Sequence, residues 1–475
     1  MNNNFYWHDY ETWGADPSTD RPAQFAGQRT DWNLNPIGEP LVVYAKPAND
    51  MLPQPEACIL TGLTPQFATQ HGLPEAIFMA RIHKELSQPN TCGAGYNNLR
   101  FDDEITRYAL FRNFFDPYGR EWRNGNSRWD LIDVMRLAHA LRPDGINWPQ
   151  QDGVTSFKLT SLTAANNLTH EAAHEALSDV LATIELARLL RTQQPRLFEF
   201  SLSLRDKRKV NNLLGLFPNS QPLLHVSSKY PAELGCIAPV LTLGLHPVDK
   251  NGVIVVDLRI DPALLLDLDV DTIKQRVFTK REDLPENVSR IPLKVVHINR
   301  VPMLAPMATL TSKLAEKWNI DLPQVQVNAA RFKATPELHA KLQQVFLPPE
   351  FPPREPEHNL YGGLLSNADL AKCEMVRLTT PQKLQSLNVN FHDQRLTAML
   401  FRYRARNWPE TLTIDELKQW SEYCHWRLTE VNSGSSITVS DYKQQLQNLQ
   451  QQYVNDDAKL KVIQELNAWA KQIVP

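Results

Sequence analysis

Asp9 and Glu11 stand two residues apart in the run Phe5-Tyr6-Trp7-His8-Asp9-Tyr10-Glu11-Thr12. The run is short, rich in aromatics and ends at Gly14, which predicts a buried strand rather than a helix. Side chains two apart in a strand point to one face, so the two carboxylates stand side by side. In an apolar strand they repel each other and lose hydration. A shared proton, a nearby cation or hard divalent metals bound through oxygen would offset that cost. The same pair also occurs as a plain solvated rim, so the chemistry depends on further acids.

Two more supplies follow. Phe101-Asp102-Asp103-Glu104 precedes the helical run Ile105-Thr106-Arg107-Tyr108-Ala109-Leu110-Phe111. Acids there satisfy free amides and the helix dipole, and one can cap while another faces a cleft. His174 and Asp179 open a second helix, in which Leu177, Val180, Leu181, Ile184 and Ala187 recur at spacings of three and four. Five residues turn a helix by about 140°, so His174 and Asp179 share one cleft only if His174 sits at an irregular start.

The elements that must position these groups belong to a long chain. Its 475 residues suggest about three domains, and 42% hydrophobic with 22% charged residues is a globular composition. Fifty basic against 53 acidic residues leave a net charge of −3, so polyanion binding has to come from local patches. The cysteines Cys58, Cys92, Cys236, Cys373 and Cys424 form no CxxC pair. With neither a signal-like start nor an 18-residue apolar run, the expectation is a soluble cytoplasmic protein with no membrane contact.

Residues 1–195 mix strand-like and helix-like segments, with helices expected at 102–115 and 174–191. Residues 196–350 read as short β-rich runs, including Gly252-Val253-Ile254-Val255-Val256-Asp257-Leu258 after the turn signal Lys250-Asn251-Gly252, and suggest a small β-barrel. The proline cluster from Leu347 to Pro356 reads as a linker. Residues 354–475 are helical, with Tyr442, Leu446, Leu449 and Tyr453 forming one apolar stripe after a cap expected at Ser440.

Asp9-x-Glu11, the Asp-led helix at Asp102 and His174-x-Ala176-x-x-Asp179 together resemble the three motifs of the DEDDh family of 3′→5′ exonucleases. Within it, the exodeoxyribonuclease I family is closer still, through His8-Asp9-Tyr10-Glu11-Thr12, Gly95-Tyr96-Asn97-Asn98-Leu99-Arg100-Phe101-Asp102-Asp103-Glu104 and Tyr403-Arg404-Ala405-Arg406-Asn407. The resemblance covers nearly the whole chain. It implies an α/β + β + α multidomain architecture: a ribonuclease H-like exonuclease domain, an SH3-like barrel and a C-terminal helical domain.

Hydrolysis of a phosphodiester needs an activated water and stabilisation of charge on the phosphoryl and leaving oxygens. Two Mg²⁺ ions, with Mn²⁺ as a substitute, supply these, and four carboxylates neutralise them. The resemblance implies that Asp9, Glu11 and Asp179 ligate metal, that Asp102 completes the site, that Glu11 also meets substrate, and that His174 takes the proton from water. Two rivals remain. His170-Glu171-Ala172-Ala173-His174 matches the H-E-x-x-H of zinc metallopeptidases, though Leu177 and Val180 exclude the extended metzincin form. A non-catalytic single-stranded-DNA scaffold is the other, and the complete set of five residues speaks against it.

Single strands are held by basic groups along the backbone and aromatic rings against the bases. Arg107, Tyr118, Trp122, Arg136, Arg142 and Phe157 supply both. The resemblance places these positions along a channel, and Lys158 where the family has a basic residue beside the metals. Residues 201–210 and 271–300 each carry a local charge of +3. Phe200, Lys207, Lys294, His297 and Asn299 are the second domain's candidate DNA contacts. Tyr361-Gly362-Gly363 and Arg402-Tyr403-Arg404-Ala405-Arg406 are the third's. The resemblance further implies a processive monomer acting in DNA repair, which docks the acidic C-terminal tail of a single-stranded-DNA-binding protein.

Overall fold

The aromatic run forms strand β1 (Asn4–Thr12) in the computed structural model, which describes residues 3–170, 174–348 and 354–474. The chain falls into two units: Met1–Ser127, His170–Ile184 and Pro352–Pro475 in the first, Arg128–Thr169 and Glu185–Phe351 in the second. In unit 1, β1 pairs antiparallel with β2 (Pro22–Asp31), which pairs antiparallel with β3 (Pro36–Tyr44). On its other side β1 pairs in parallel with β4 (Thr91–Gly95). A parallel pair needs a long crossover, and the helices Pro55–Thr61, Pro65–His71 and Glu75–Leu86 supply it. A further strand, β5 (Ser127–Asp130), straddles the division between the units.

Both faces of β1 are covered, which explains its run of large apolar side chains. Tyr6 and Tyr10 pack with Phe25 and Val43 against Phe78, Met79 and Ile82 of the Glu75–Leu86 helix and Ile105, Ala109 and Leu110 of the Asp102–Arg112 helix. The alternate residues, from Phe5 and Trp7 to Asp9 and Glu11, point to the other face. The turn leaving β4 needs a glycine: a Cβ on Gly95 would lie 2.8 Å from the His8 carbonyl oxygen.

Unit 2 corrects the expectation of β structure directly after Pro195. That proline sits in the first turn of the Pro195–Ser203 helix, where its fixed φ is preorganised, and the Lys207–Leu214 helix follows. Earlier in the chain β6 (Gln150–Gln151) and β7 (Val154–Thr155) form a small hairpin; after the two helices, β8 (Leu223–Val226), β9 (Ile237–Leu245), β10 (Gly252–Asp257), β11 (Leu293–His297) and β12 (Met303–Pro306) form a five-stranded antiparallel sheet in the order β11-β10-β9-β8-β12. The helices Leu322–Lys333 and Leu338–Val345 follow the sheet. Of the proline cluster, residues 349–353 lie outside the described residues.

The C-terminal helices belong to unit 1. In Val439–Gln452 the stripe of Tyr442, Leu446 and Leu449 is buried with Trp13, Met51 and Leu52 and with Ile463, Leu466 and Trp469 of Asp457–Ile473. The cap is Thr438 and not Ser440, because its hydroxyl oxygen accepts the Asp441 amide at 3.2 Å. Among the described residues no helix is long and apolar enough to cross a membrane.

A buried ion cluster ties this helical segment to the sheet. The fully buried Asp50 takes Arg21 at 3.2 Å, Arg406 at 2.7 Å and Arg427 at 3.4 Å. Glu357 takes Arg406 at 2.7 Å, Arg402 at 3.1 Å and Arg21 at 3.6 Å. Removing one member of a buried pair leaves an uncompensated charge in a low-dielectric interior. Asp50→Ala is therefore expected to lose about 3–5 kcal/mol in chemical denaturation. Glu416→Gln, which breaks the more exposed pair with Arg404, should lose about 1 kcal/mol or less; equal losses would contradict the cluster's role.

Candidate active site

β1 delivers Asp9 and Glu11, and the Ala176–Gln193 helix delivers Asp179 from its first turn. One ligand oxygen from each of the three carboxylates lies within 4.8 Å of the others. Asp102 approaches from the start of the Asp102–Arg112 helix, where its Oδ1 accepts the Tyr10 amide at 3.0 Å. That bond ties the helix start to the strand residue between Asp9 and Glu11. The three consecutive acids then divide: Asp103 is fully buried on Arg120 at 2.6 Å, and Glu104 pairs with Arg107 at 2.7 Å. The expected side-chain cap on this helix is not made.

Burial, and then mutual repulsion, sets the electrostatics. Burial, then Asp102, Glu11, Asp179 and Glu175, push the Asp9 carboxyl well above the usual carboxylate range. Burial, then Asp179, Asp102 and Glu175, push Glu11 up to about 8. Such a donor set is all oxygen and short of positive charge, which fits hard divalent cations. Asp9, Glu11 and Asp179 would hold them, with Asp102 beside them.

His174 has φ +66° and is exposed in a turn, two residues before the helix starts at Ala176. The irregular start required for His174 to share a cleft with Asp179 is thus present. His170 has the direct contact: its Nε2 lies 2.5 Å from Asp179 Oδ1. Neither histidine is in a helix, so the two are not set one turn apart as a helix-borne zinc motif requires; Glu171, Ala172 and Ala173 lie outside the described residues. The zincin expectation fails on that geometry.

Sequence reasoning missed four supporting residues. In the sequence His170 stands out only as part of the H-E-x-x-H pattern. Glu175 caps the second helix through the Ser178 amide at 3.0 Å and accepts Gln24 Nε2 at 3.4 Å, while Gln24 faces Glu11 across the β1–β2 ladder. Arg120 fixes Asp103 and is 4% exposed. An acid four residues before Asp179 was a readable signal for the cap, but the pairings of Gln24 and Arg120 arise only in three dimensions.

Several expected DNA contacts are committed elsewhere. Arg107 is held bidentately by Glu121 at 2.7 and 2.9 Å and also by Glu104 and the Tyr361 hydroxyl, so it is a buried ion-pair residue rather than an open phosphate site. Phe157 is 9% exposed, against His139 and Trp148, and Arg136 lies over its ring while pairing with Asp133 at 2.8 Å. Arg402, Arg404 and Arg406 all point into carboxylates, and Tyr403 is 4% exposed, so this motif builds the core. Tyr361 bonds Glu104, with Gly362 and Gly363 in the turn that carries it.

Others are accessible. Trp122 is 63% exposed beneath Arg123, and the half-buried Tyr118 lies beneath Arg107. In unit 2, Lys158 is exposed at the start of the Leu159–Ala165 helix. Lys207 is exposed and reaches Asn251 at 3.2 Å. Phe200 lies under Lys209, Lys294 lies over Tyr230, His297 bonds Asp249 at 2.9 Å, and Asn299 offers its carbonyl to Arg128 at 3.2 Å. Arg142 and Phe200 line one cavity of about 390 Å³.

Three family models match the chain: Exonuclease over residues 6–187, Exonuclease I SH3-like domain over 205–348 and Exonuclease I C-terminal domain over 354–473. Exodeoxyribonuclease I of Escherichia coli (strain K12) is 44% identical over 475 residues, covering 99% of this chain and 98% of its own. A solved exonuclease I from the moderate thermophile Methylocaldum szegediense superposes with a TM-score of 0.96 at 47% identity, and E. coli exonuclease I in complex with a dA16 oligonucleotide with 0.95 at 44%, each covering 100% of both chains.

The raised carboxyls set a pH dependence. Glu11 moves from 4.5 to about 8 on folding, so the metal-free folded state holds more protons than the unfolded one between those values. Stability without metal should fall as pH rises through that window, by at most about 1.4 kcal/mol per pH unit for this proton. Melting curves in EDTA from pH 5 to 9 should show the fall, and divalent cation should reverse it most at the alkaline end. Glu11→Gln should flatten the slope; an unchanged slope would reject the assignment.

Proposed function

The chain belongs to the exodeoxyribonuclease I family, and from that premise we propose how it acts: it hydrolyses single-stranded DNA processively from the 3′ end and releases 5′-mononucleotides. The observation that carries the reading is the convergence of Asp9, Glu11 and Asp179 within 4.8 Å. Mg²⁺, as two ions with Mn²⁺ as a substitute, suits this all-oxygen set and would supply charge neutralisation at the phosphoryl and leaving oxygens. A zinc-bound form of the E. coli exonuclease I complex with single-stranded DNA is also known.

The chain's own groups do the rest. Asp102 locks β1 through the Tyr10 amide. Exposed His174 takes the proton of the attacking water, and His170 orients Asp179. Lys158, in unit 2, carries the positive charge the family has at that position, as a point charge without the fork of an arginine. A cavity of about 800 Å³ beside Glu11 is lined by Tyr10, Phe101, Asp16, Asp20 and Glu56 and, among the described residues, by no basic side chain. An acidic, partly aromatic lining suits an uncharged base and sugar, and we assign it to the terminal nucleoside.

A structure of exonuclease I with the single-stranded-DNA-binding protein is known, and that protein is the partner we propose here. In unit 2 the cavity of Leu137, Leu141, Leu197 and Phe200 has Arg142 and Arg196 in its lining. Apolar walls with two guanidiniums fit the end of an acidic tail. The protein is taken as a cytoplasmic monomer serving DNA repair.

A 5′-labelled oligonucleotide with Mg²⁺ should give a ladder shrinking from its 3′ end, abolished by Asp9→Ala and by EDTA. His174→Ala should lower turnover by about 10²–10⁴-fold with little change in DNA affinity. Binding without cutting by the unaltered chain would favour a scaffold instead. For the partner, deleting its acidic tail should abolish complex formation, and Arg196→Glu should weaken the complex about tenfold or more; undiminished affinity in both rejects this docking site.

A further inference from the structure

Unit 1 has another cavity, of about 390 Å³, that the chemistry above does not use. Arg21, Arg406, Trp13 and Trp408 lie in its lining with the exposed Lys46. Arg21 is 5% exposed, yet among the described residues only its Nη2 has partners, Asp50 at 3.2 Å and Glu357 at 3.6 Å. Its Nε and Nη1 donate to nothing described and are not among the atoms sealed from solvent. Arg406 uses Nε and Nη2 on Asp50 and Glu357, which leaves Nη1 in the same condition. Two buried guanidiniums in the lining thus keep donors that no described acceptor takes.

The charge balance points the same way. Four guanidiniums, Arg21, Arg402, Arg406 and Arg427, share three carboxylates, Asp50, Glu355 and Glu357, so the cluster keeps a surplus positive charge. Glu75, also in the lining, is cancelled by Arg112 at 2.5 Å, and Glu410 is exposed. Burial, then Arg406, lowers the Arg21 guanidinium to about 10. A buried surplus of this kind is relieved by a bound anion.

We propose that this cavity binds a phosphomonoester, with its oxyanion on Arg21 and Arg406, Lys46 adding charge, and the remaining volume taken by the nucleoside of a 5′-mononucleotide. The choice of mononucleotide rests on the activity proposed above, whose product it is. Guanidinium forks match phosphate oxygens, and the volume is at the lower end of the range for small-molecule sites, about 300–1,000 Å³. The cavity would then sense the product away from the carboxylates that make it.

The test uses the full-length Asp9→Ala chain in EDTA, so that metal-held product does not contribute. Melting temperature and tryptophan fluorescence are followed with thymidine 5′-monophosphate, inorganic phosphate or thymidine at constant ionic strength. The two phosphates should each give a saturable response, with the nucleotide binding more tightly, and thymidine none. Lys46→Glu, at an exposed position, should weaken both phosphates about tenfold, and Trp408→Ala should weaken only the nucleotide. Equal affinity for phosphate and nucleotide overturns the mononucleotide assignment. No saturable response, or one indifferent to Lys46→Glu, overturns the site itself. Because no cleavage is read, failure of the exonuclease reading would leave these outcomes unaltered.

Discussion

Carboxylates brought close together repel, and unit 1 is organised around holding them there. Asp9 experiences Asp102, Glu11, Asp179 and Glu175 at once. Each neighbour is restrained by a bond of its own: Asp102 by the Tyr10 amide, Asp179 by His170, Glu175 by the Ser178 amide, and Glu11 by its place in a ladder opposite Gln24. None of these restraints is strong alone. Together they replace the hydration that would otherwise let the acids separate, and they leave an electrostatic deficit that a cation removes.

The same logic explains three acids in succession at Asp102, Asp103 and Glu104. A helix start projects successive side chains about 100° apart, so neighbours cannot share a task. Asp102 faces the strand, Asp103 goes inward to Arg120, and Glu104 goes to Arg107 and Tyr361. Buried His8, kept neutral by a pKa lowered to about 4, lies 3.8 Å from Asp103 and adds no charge beside Asp9. The helix start is thereby tied to the strand by Asp102 and to its own surroundings by Asp103 and Glu104.

The local order of acids and histidines was legible because strands and helices have fixed periods. Asp9 and Glu11 on one face follow from a period of two, and the irregular start at His174 follows from the rotation that separates it from Asp179. What was not legible were pairings between distant parts of the chain. Arg107 and the arginines from 402 to 406 read as a basic surface because nothing in their neighbourhood shows that Glu121, Asp50 and Glu357 will meet them. Phe157 likewise looks like a stacking platform until the rings of His139 and Trp148 enclose it. The helices after Pro195 were missed because a proline that ends one element equally begins the next.

The partners of Asp50 come from both ends of the sequence, Arg21 from the beginning and Arg406 and Arg427 from the last quarter. The nuclease segment therefore lacks electrical self-sufficiency. A polypeptide cut after its catalytic helix would keep every acid of the active site but expose Asp50 and strand Arg21, together with the apolar bed of Trp13, Met51 and Leu52 on which the final helices rest. Modularity in this chain is a property of descent and not of folding: its segments can be told apart by ancestry, yet a grafted or shortened nuclease would need new countercharges before it could stand alone.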